Sequence, residues 1–228
     1  MGKREICPIA YIRTDFKEKF GIPRQSGLVA ELRARIVFCE EYRDERALLG
    51  LEGFSHLWLI FDFSEAHRDG WSPTVRPPRL GGNERVGVFA SRSPFRPNSL
   101  GLSSVKLCSI EKTDEEGSVL IVEGADLLDM TPIYDIKPYL PYADCHTDAS
   151  GGYTDTTERV RLDVEFPENL LSEIPREKRA SLIGCIAEDP RPSYQDNEER
   201  IYSMHFAEFD VHFKVRGKCA YVVGVDKI

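Results

Sequence analysis

Short runs in which apolar and polar residues alternate fill the first two-thirds of the chain and predict β-strands. In Glu31–Phe38 the apolar residues Leu32, Ala34, Ile36 and Phe38 occupy every second position, with two arginines and a valine between them. Successive side chains of a strand point to opposite faces. This period of two therefore predicts a strand with one buried face.

Further strand patterns surround this one. Cys7–Thr14 is rich in apolar and β-branched residues, and residues 104–129 contain two alternating runs around the turn Asp114–Gly117, which predicts a hairpin. Residues 56–63 and 86–92 contain continuous apolar runs typical of strands buried on both faces. Five or six short strands at this spacing predict a small barrel or sandwich.

One short helical pattern lies within this β-rich part. Residues 42–54 place Leu48, Leu49 and Leu51 on one side, and Gly53 is a stop signal. A helix is therefore predicted here.

The pattern changes after residue 150. Asp148–Gly152 has the composition of a linker. Ile174–Asp189 predicts an amphipathic helix that begins near Pro175 and ends before Pro190, and residues 200–215 and 219–226 predict closing strands. The predicted fold is mainly β: a small β-barrel domain over residues 1–150 and a small α+β domain over residues 151–228.

The charge distribution draws attention to one stretch of the first domain. The chain of 228 residues has a formal net charge of −8, yet Arg76–Arg96 contains five arginines and a single acidic residue, Glu84. Neighbouring prolines restrict this backbone, so its guanidinium groups lose less freedom when they bind an anion. Pairing with nearby acids is the alternative, but five arginines with one acid favour an anion-binding surface.

Aromatic residues accompany these arginines, as stacking on nucleic-acid bases requires. They are Trp71, Phe89 and Phe95. Core positions are the alternative for Trp71 and Phe89, and are favoured for Phe89. His56, beside an apolar run, is interpreted as a core histidine rather than a catalytic base.

A pair of aspartates at the end of a predicted strand forms a second candidate site. Asp126 and Asp129 could receive ribose hydroxyls or an ammonium group, or they could cap the following turn.

Sequence signatures of dinucleotide binding, metal binding and membrane insertion are missing. It contains no glycine-rich dinucleotide motif, and its six cysteines include no C-x-x-C pair, so neither a Rossmann site nor a metal site is predicted. Its longest uncharged apolar run, Phe54–Phe61, is too short to span a membrane, and the prediction is a cytoplasmic protein without a membrane partner.

Five blocks of sequence resemble the TsaA-like family, and most closely its bacterial tRNA (adenine-N6)-methyltransferases. The blocks are Lys17–Val29, Gly53–Phe63, Gly70–Leu107, Asp126–Asp144 and, in the family's C-terminal extension, Asp189–Tyr194. The resemblance implies an S-adenosylmethionine-dependent methyltransferase built on a β-barrel that works as a homodimer, with the cofactor near the subunit interface. The implied substrate is N6-threonylcarbamoyladenosine at tRNA position 37, next to the anticodon, and the C-terminal domain is a candidate for tRNA contact.

Residue roles follow from the matching motifs. The resemblance implies that the cofactor is bound by Gln25, Ser26, Gly27, Leu28, Phe63, Ser64, Glu65, Arg92, Ser93, Leu102, Gly124, Ala125, Asp126 and Leu127. The candidates for binding the RNA substrate are Arg76, Arg79, Arg85, Arg96, Lys137 and Tyr139. The candidates for removing the N6 proton are Asp135 and a phosphate-bound water. Two alternatives stay open: a barrel that binds RNA or a nucleotide without catalysis, and an enzyme that uses S-adenosylmethionine on another acceptor.

Overall fold

A computed structural model describes residues 2, 5–80, 84–157, 159–192 and 197–228, and for Arg79 it describes the backbone alone. The strands are β1 (Ala10–Arg13), β2 (Arg33–Phe38), β3 (His56–Asp62), β4 (Thr74–Val75), β5 (Val86–Gly87), β6 (Leu100–Thr113), β7 (Gly117–Glu123), β8 (Thr131–Pro138), β9 (Asp163–Glu165), β10 (Tyr202–Phe206), β11 (Phe209–Arg216) and β12 (Cys219–Lys227). The α-helices are α1 (Pro141–Asp144), α2 (Tyr153–Thr156), α3 (Glu168–Leu171) and α4 (Arg176–Ala187). Short 3-10 helices occupy Glu40–Tyr42, Glu45–Leu48, Leu51–Gly53, Ser64–Ala66, Pro78–Leu80 and Val88–Ala90.

Six antiparallel strands form a closed ring in the order β1-β2-β7-β6-β3-β8, and β8 pairs back to β1. Closure leaves no strand of the ring with an unpaired edge. Every second side chain points inward, so that Ala34 and Ile36 of β2 and Leu57 and Leu59 of β3 lie in one apolar core. The mainly β prediction, the strand at Glu31–Phe38 and the hairpin around Asp114–Gly117 are confirmed.

The C-terminal part forms a second, four-stranded sheet in the order β10-β11-β12-β9, in which β9 runs parallel to β12. Helix α4 packs on this sheet because Leu182 and Ile186 share one buried face and join Val211 and Phe213 in a second core. The predicted helix and closing strands are confirmed. The domain boundary near residue 150 stays a prediction.

The long connection between β1 and β2 packs into the second core, not into the core of the ring. Phe16, Val29 and Leu32 are buried there beside residues of α4, β10 and β11. This connection, residues 14–32, therefore links the two sheets. It also contains the segment Gln25–Leu28.

Three predictions of local structure are wrong. The apolar run 86–92 is not a buried strand: only Val86–Gly87 pair, with the equally short β4, and the chain then turns into a 3-10 helix. A sheet of two such short strands is too small to bury the residues that follow it. Phe89 consequently lies 73% exposed instead of in the core.

The other two concern the region between β2 and β3 and the strand β3 itself. The predicted helix at 42–54 is replaced by 3-10 helices because Gly50 adopts a left-handed backbone, with φ of 82°, between them. Strand β3 is fully buried on one face only, and His56 is exposed, so it is not a core histidine. No helix among the described residues is both long and apolar enough to cross a membrane.

Candidate functional site

Two predicted cofactor segments that lie about a hundred residues apart in the chain meet through their glycines. The Gly27 N–H donates a hydrogen bond of 2.9 Å to the carbonyl of Gly124. Both glycines have positive φ, 75° and 79°, and a Cβ on Gly124 would lie 3.3 Å from the backbone of Gly27. Glycine is therefore required where Gln25–Leu28 approaches Gly124–Leu127.

Asp126 lies next to this junction as a half-buried carboxylate. The Ser103 hydroxyl donates to Asp126 Oδ1 at 2.7 Å, and Ser26 contributes a backbone hydrogen bond. Burial raises the pKa of the Asp126 carboxyl, while the Ser103 hydrogen bond and the positive charge of Arg92 act in the opposite direction. Perturbed carboxyl groups of this kind are common at functional sites.

Asp129 has a structural role, although its contacts are with a distant segment and not with the following turn that the sequence offered as the alternative. It accepts a hydrogen bond from the Thr14 N–H at 3.0 Å and forms ion pairs with Lys17 and Arg13 at 2.5 and 3.4 Å. All of these partners belong to β1 and the connection that follows it. Asp129 therefore anchors that chain segment, and Asp126 alone of the two faces the glycine junction.

Other predicted cofactor residues are tied to the same region by polar contacts. The Arg92 guanidinium donates to the Gln25 side-chain carbonyl at 2.5 Å. Lys19, a few residues before Gln25, pairs with the Glu65 carboxylate at 3.3 Å, and the Phe63 N–H donates to the carbonyl of Ser99 at 2.8 Å. The segments containing Gln25, Glu65 and Arg92 are thus brought together. Ser64, between Phe63 and Glu65, is exposed.

Several predicted side chains point elsewhere. Leu102 lies 56% exposed on the outer face of the ring, whereas Ala125 and Leu127 are buried in its core and offer a ligand only their peptide groups. The Ser93 hydroxyl accepts a hydrogen bond from the Phe95 N–H within its own turn.

Sequence reasoning missed Ser103. The signal was present, because a strand that turns Leu102 outward turns its neighbour inward. Ser103 is 4% exposed and contacts Asp126.

The arginines of the positive stretch divide into two groups. Arg76, Arg85 and Arg92 are exposed, and Arg85 donates to the Thr74 hydroxyl at 2.7 Å. Arg96 instead donates to the backbone carbonyls of Ser91 and Val88 at 2.7 and 3.3 Å, and so stabilises its own loop. The side chain of Arg79 lies outside the described part of the structure.

Exposed aromatic rings accompany the first group. Trp71 and Phe89 lie with their ring centroids 6.0 Å apart and their planes inclined by 34°. Their chain segments are held together by a hydrogen bond of 2.9 Å from the Val88 N–H to the Pro73 carbonyl. Arg68 covers the ring of Phe95, 3.7 Å from its centroid. The β4–β5 flap, which we define as residues 71–80 and 84–89, therefore carries both aromatic surface and positive charge.

Among the described residues, the contacts of Lys137, Tyr139 and Asp135 are with neighbours on β8 and β3 and not with the glycine junction. Lys137 forms an ion pair of 2.8 Å with Asp135 on β8, and Tyr139 packs against the ring of Trp58. The Tyr139 N–H also donates a hydrogen bond to the carbonyl of His56, the first residue of β3. At roughly 3.3 Å per residue, His56 lies about 20 Å from Asp62, the last residue of that strand. No group of three or more metal-ligating side chains occurs within the described ranges.

Comparison with known proteins decides the family. The model of the tRNA-methyltransferase O N-terminal domain matches residues 11–145, and that of the TrmO C-terminal domain matches residues 159–228. The chain belongs to the TrmO family. The family resemblance found in the sequence is therefore confirmed, and the TrmO models cover both the ring and the second sheet.

Full-length relatives and a solved structure agree with the TrmO assignment. The tRNA (adenine(37)-N6)-methyltransferase of Escherichia coli K12 is 41% identical over 223 residues, which are 94% of each chain. A putative S-adenosylmethionine-dependent methyltransferase, RcsF, of Pseudomonas aeruginosa is 43% identical over 91% of each chain. A crystal structure of TrmO from Pseudomonas aeruginosa superposes with a TM-score of 0.81 at 34% identity, over 99% of each chain.

Proposed function

We propose that the protein is an S-adenosylmethionine-dependent tRNA methyltransferase that N6-methylates N6-threonylcarbamoyladenosine at tRNA position 37. Membership of the TrmO family and the named activity of the Escherichia coli relative support the reaction. The name of the Pseudomonas aeruginosa relative supports the cofactor. The observation that carries the proposal for this chain is the meeting of Gln25–Leu28 with Gly124–Leu127 beside Asp126.

The groups at this junction suit a cationic nucleoside. Asp126 has no ion-pair partner among the described residues, and burial raises the pKa of its carboxyl, so a cationic ligand group would favour its charged form. Gly27 leaves open space beside this junction, because a Cβ built there would meet no atom within 4 Å. When bound, S-adenosylmethionine supplies an activated methyl group on a sulfonium centre.

Within that site, we propose that backbone peptide groups bind the cofactor as much as side chains do. Gln25–Leu28 and Gly124–Leu127 form two walls, and Asp126 receives ribose hydroxyls or an ammonium group. Ser103 fixes the orientation of the Asp126 carboxylate through its hydrogen bond. Arg92 keeps Gln25 in position and presents its remaining guanidinium N–H groups to solvent.

The RNA is bound, on this proposal, by the exposed arginines and aromatic rings of the β4–β5 flap and its neighbours. Phosphates of the anticodon loop are bound by Arg76, Arg85 and Arg92. Unpaired bases stack on Trp71 and Phe89. Loop bases that are modified must leave their stack to reach a cofactor, and aromatic surfaces stabilise such bases. The flap carries both kinds of group side by side.

The enzyme's main task is alignment of N6 with the methyl donor, because the donor is already activated. The threonylcarbamoyl group makes N6 ureido-like and its proton more acidic. Asp135 stays the candidate for accepting that proton, and its ion pair with Lys137 would have to open first.

We further propose that the protein acts in the cytoplasm as a homodimer. Exposed Leu100 and Leu102 on the outer face of β6 support the dimer.

Calorimetry with S-adenosylmethionine tests the cofactor site. We expect saturable binding by the natural protein, weaker binding by Asp126→Asn, and unchanged binding by Asp114→Asn, a matched change in the exposed turn between β6 and β7. Absence of heat and of any thermal shift would leave only a non-catalytic RNA-binding barrel.

Nucleoside mass spectrometry of tRNA from a deletion strain tests the acceptor. We expect N6-methyl-threonylcarbamoyladenosine to disappear and the unmethylated nucleoside to accumulate, and plasmid-borne protein to reverse both changes. An unchanged level of the methylated nucleoside would point to another acceptor.

A further inference from the structure

We infer that the C-terminal domain forms the back of the cofactor site: α4 holds the segment Gln25–Leu28 against the ring, and Gly184 is the positioning residue for this contact. The inference rests on the proposed cofactor role of that segment. It gives the C-terminal domain a function besides tRNA contact, because cofactor affinity then depends on a helix that need not touch the cofactor.

Both ends of the cofactor segment are anchored in the C-terminal core. Before it, Ile22 packs against that core, and Arg24 donates to the carbonyl of Arg191 at 3.1 Å. After it, Val29 and Leu32 are buried among residues of α4 and the second sheet. The ring core contains none of these side chains.

Helix α4 adds two polar contacts to the same connection. The Ser181 hydroxyl donates to the backbone carbonyl of Glu31 at 2.8 Å. The Lys178 ammonium forms an ion pair of 2.6 Å with Asp15, and both side chains are about three-quarters buried. The helix therefore contacts the connection between β1 and β2 both before and after Gln25–Leu28 in the chain.

Gly184 marks the closest approach. A Cβ at this position would lie 2.7 Å from Cγ1 and 3.3 Å from Cγ2 of Val29, closer than side chains pack. Valine is branched at Cβ and has few alternative rotamers, so the strain would pass to its backbone. Val29 directly follows Leu28, and on the other side Gly27 already touches Gly124. The chain is thus closely packed on both sides of Leu28: Gly27 bonds to Gly124 beside the ring, and Val29 lies against Gly184 on α4.

The test is Gly184→Ala, measured by calorimetry with S-adenosylmethionine in the full-length protein. We expect the Kd to rise on the order of tenfold or more, because overpacking strain of the usual size, when it opposes the cofactor-binding conformation, corresponds to about one factor of ten or more in affinity. The double variant Gly184→Ala/Val29→Ala removes both methyl groups that the new Cβ meets, so we expect it to recover most of the affinity. Amide exchange of Gly27, whose N–H bonds to Gly124, should accelerate in the single variant and slow again in the double variant.

Two controls separate positioning from general destabilisation. Ser181→Ala removes the hydrogen bond to Glu31 and should weaken cofactor binding, whereas Ser172→Ala removes a comparable bond of 2.7 Å to Asn169 within the domain and should not. Binding is measured at a temperature where every variant is fully folded, and affinity for the tRNA alone should stay unchanged.

The outcomes distinguish this inference from the proposed function. If the natural protein binds no S-adenosylmethionine, the proposed function fails and the inference fails with it. If the natural protein binds it and Gly184→Ala binds it equally well, the inference is wrong while the proposed function stands. A loss in Gly184→Ala that Val29→Ala does not rescue also overturns it.

Discussion

Arg92 and Arg96 lie four residues apart in the chain, and the structure gives them opposite roles. Arg92 is exposed and makes one side-chain hydrogen bond, to Gln25, whereas Arg96 is half-buried and donates to backbone carbonyls of its own loop. Replacing each by alanine therefore separates an arginine that acts on the ligand from one that acts on the fold.

The contacts set the expected magnitudes for Arg92→Ala. Loss of one exposed hydrogen bond costs about 1 kcal/mol of unfolding free energy at most, which lowers the Tm of a chain of this size by roughly 2–4 °C. A guanidinium that binds a phosphate in the transition state stabilises that state by about 1.5–3 kcal/mol. Its loss should therefore lower kcat/KM for tRNA roughly 10- to 150-fold. For Arg96→Ala we expect the larger loss of Tm, because the partly buried carbonyls of Ser91 and Val88 lose their donor.

Steady-state methylation assays and thermal unfolding of the same preparations make the comparison. Arg46→Ala is the control, since Arg46 is an exposed arginine paired with Asp44 outside the positive stretch, and it should retain full kcat/KM. The reasoning is refuted if Arg92→Ala loses activity only in proportion to its loss of stability. It is equally refuted if its kcat/KM stays within twofold of the natural protein.

Two further predictions concern Asp126, which follows β7, and Gly101 of β6. Burial raises the pKa of Asp126, so its contribution to stability is complete below the unfolded-state pKa of about 3.9 and is lost as the pH rises through the folded-state pKa. Urea unfolding without cofactor should therefore show the natural protein losing stability relative to Asp126→Asn as the pH is raised from acid to neutral; a constant difference would contradict this. Gly101→Ala would place a Cβ against the ring of Phe61 inside the core. Overpacking of this kind costs about 1–3 kcal/mol and should lower the Tm by roughly 2–12 °C, and an unchanged Tm would contradict the packing described.

Elements whose pattern is local were predictable from the sequence. The alternation in β2 and the hairpin of β6 and β7 follow from side chains at every second position and from a turn of three polar residues and a glycine. Helix α4 follows from its apolar face and flanking prolines. The failures also have local causes: Gly50 interrupts the predicted helix, and β4–β5 is too short to bury Phe89.

The candidate site was predictable only in part, because its geometry depends on contacts between distant residues. Motif resemblance pointed to Gln25–Leu28 and to Asp126, and the structure brings these segments together through Gly27 and Gly124. The alternation of β6 turns Ser103 inward, but the sequence does not say that this inward-facing residue lies opposite Asp126. The burial of Val29 and Leu32 in the C-terminal core was likewise invisible, since it depends on how the two sheets pack.

Transfer of a labelled methyl group tests the central claim most directly. Purified protein is incubated with tRNA from the deletion strain and S-adenosylmethionine that carries a trideuterated methyl group, and the tRNA is then digested to nucleosides for mass spectrometry. The account predicts that N6-threonylcarbamoyladenosine gains one trideuterated methyl group at N6, and that Asp126→Asn reduces this gain. Label on a different nucleoside, or no label on any nucleoside while the protein binds the cofactor, would contradict it.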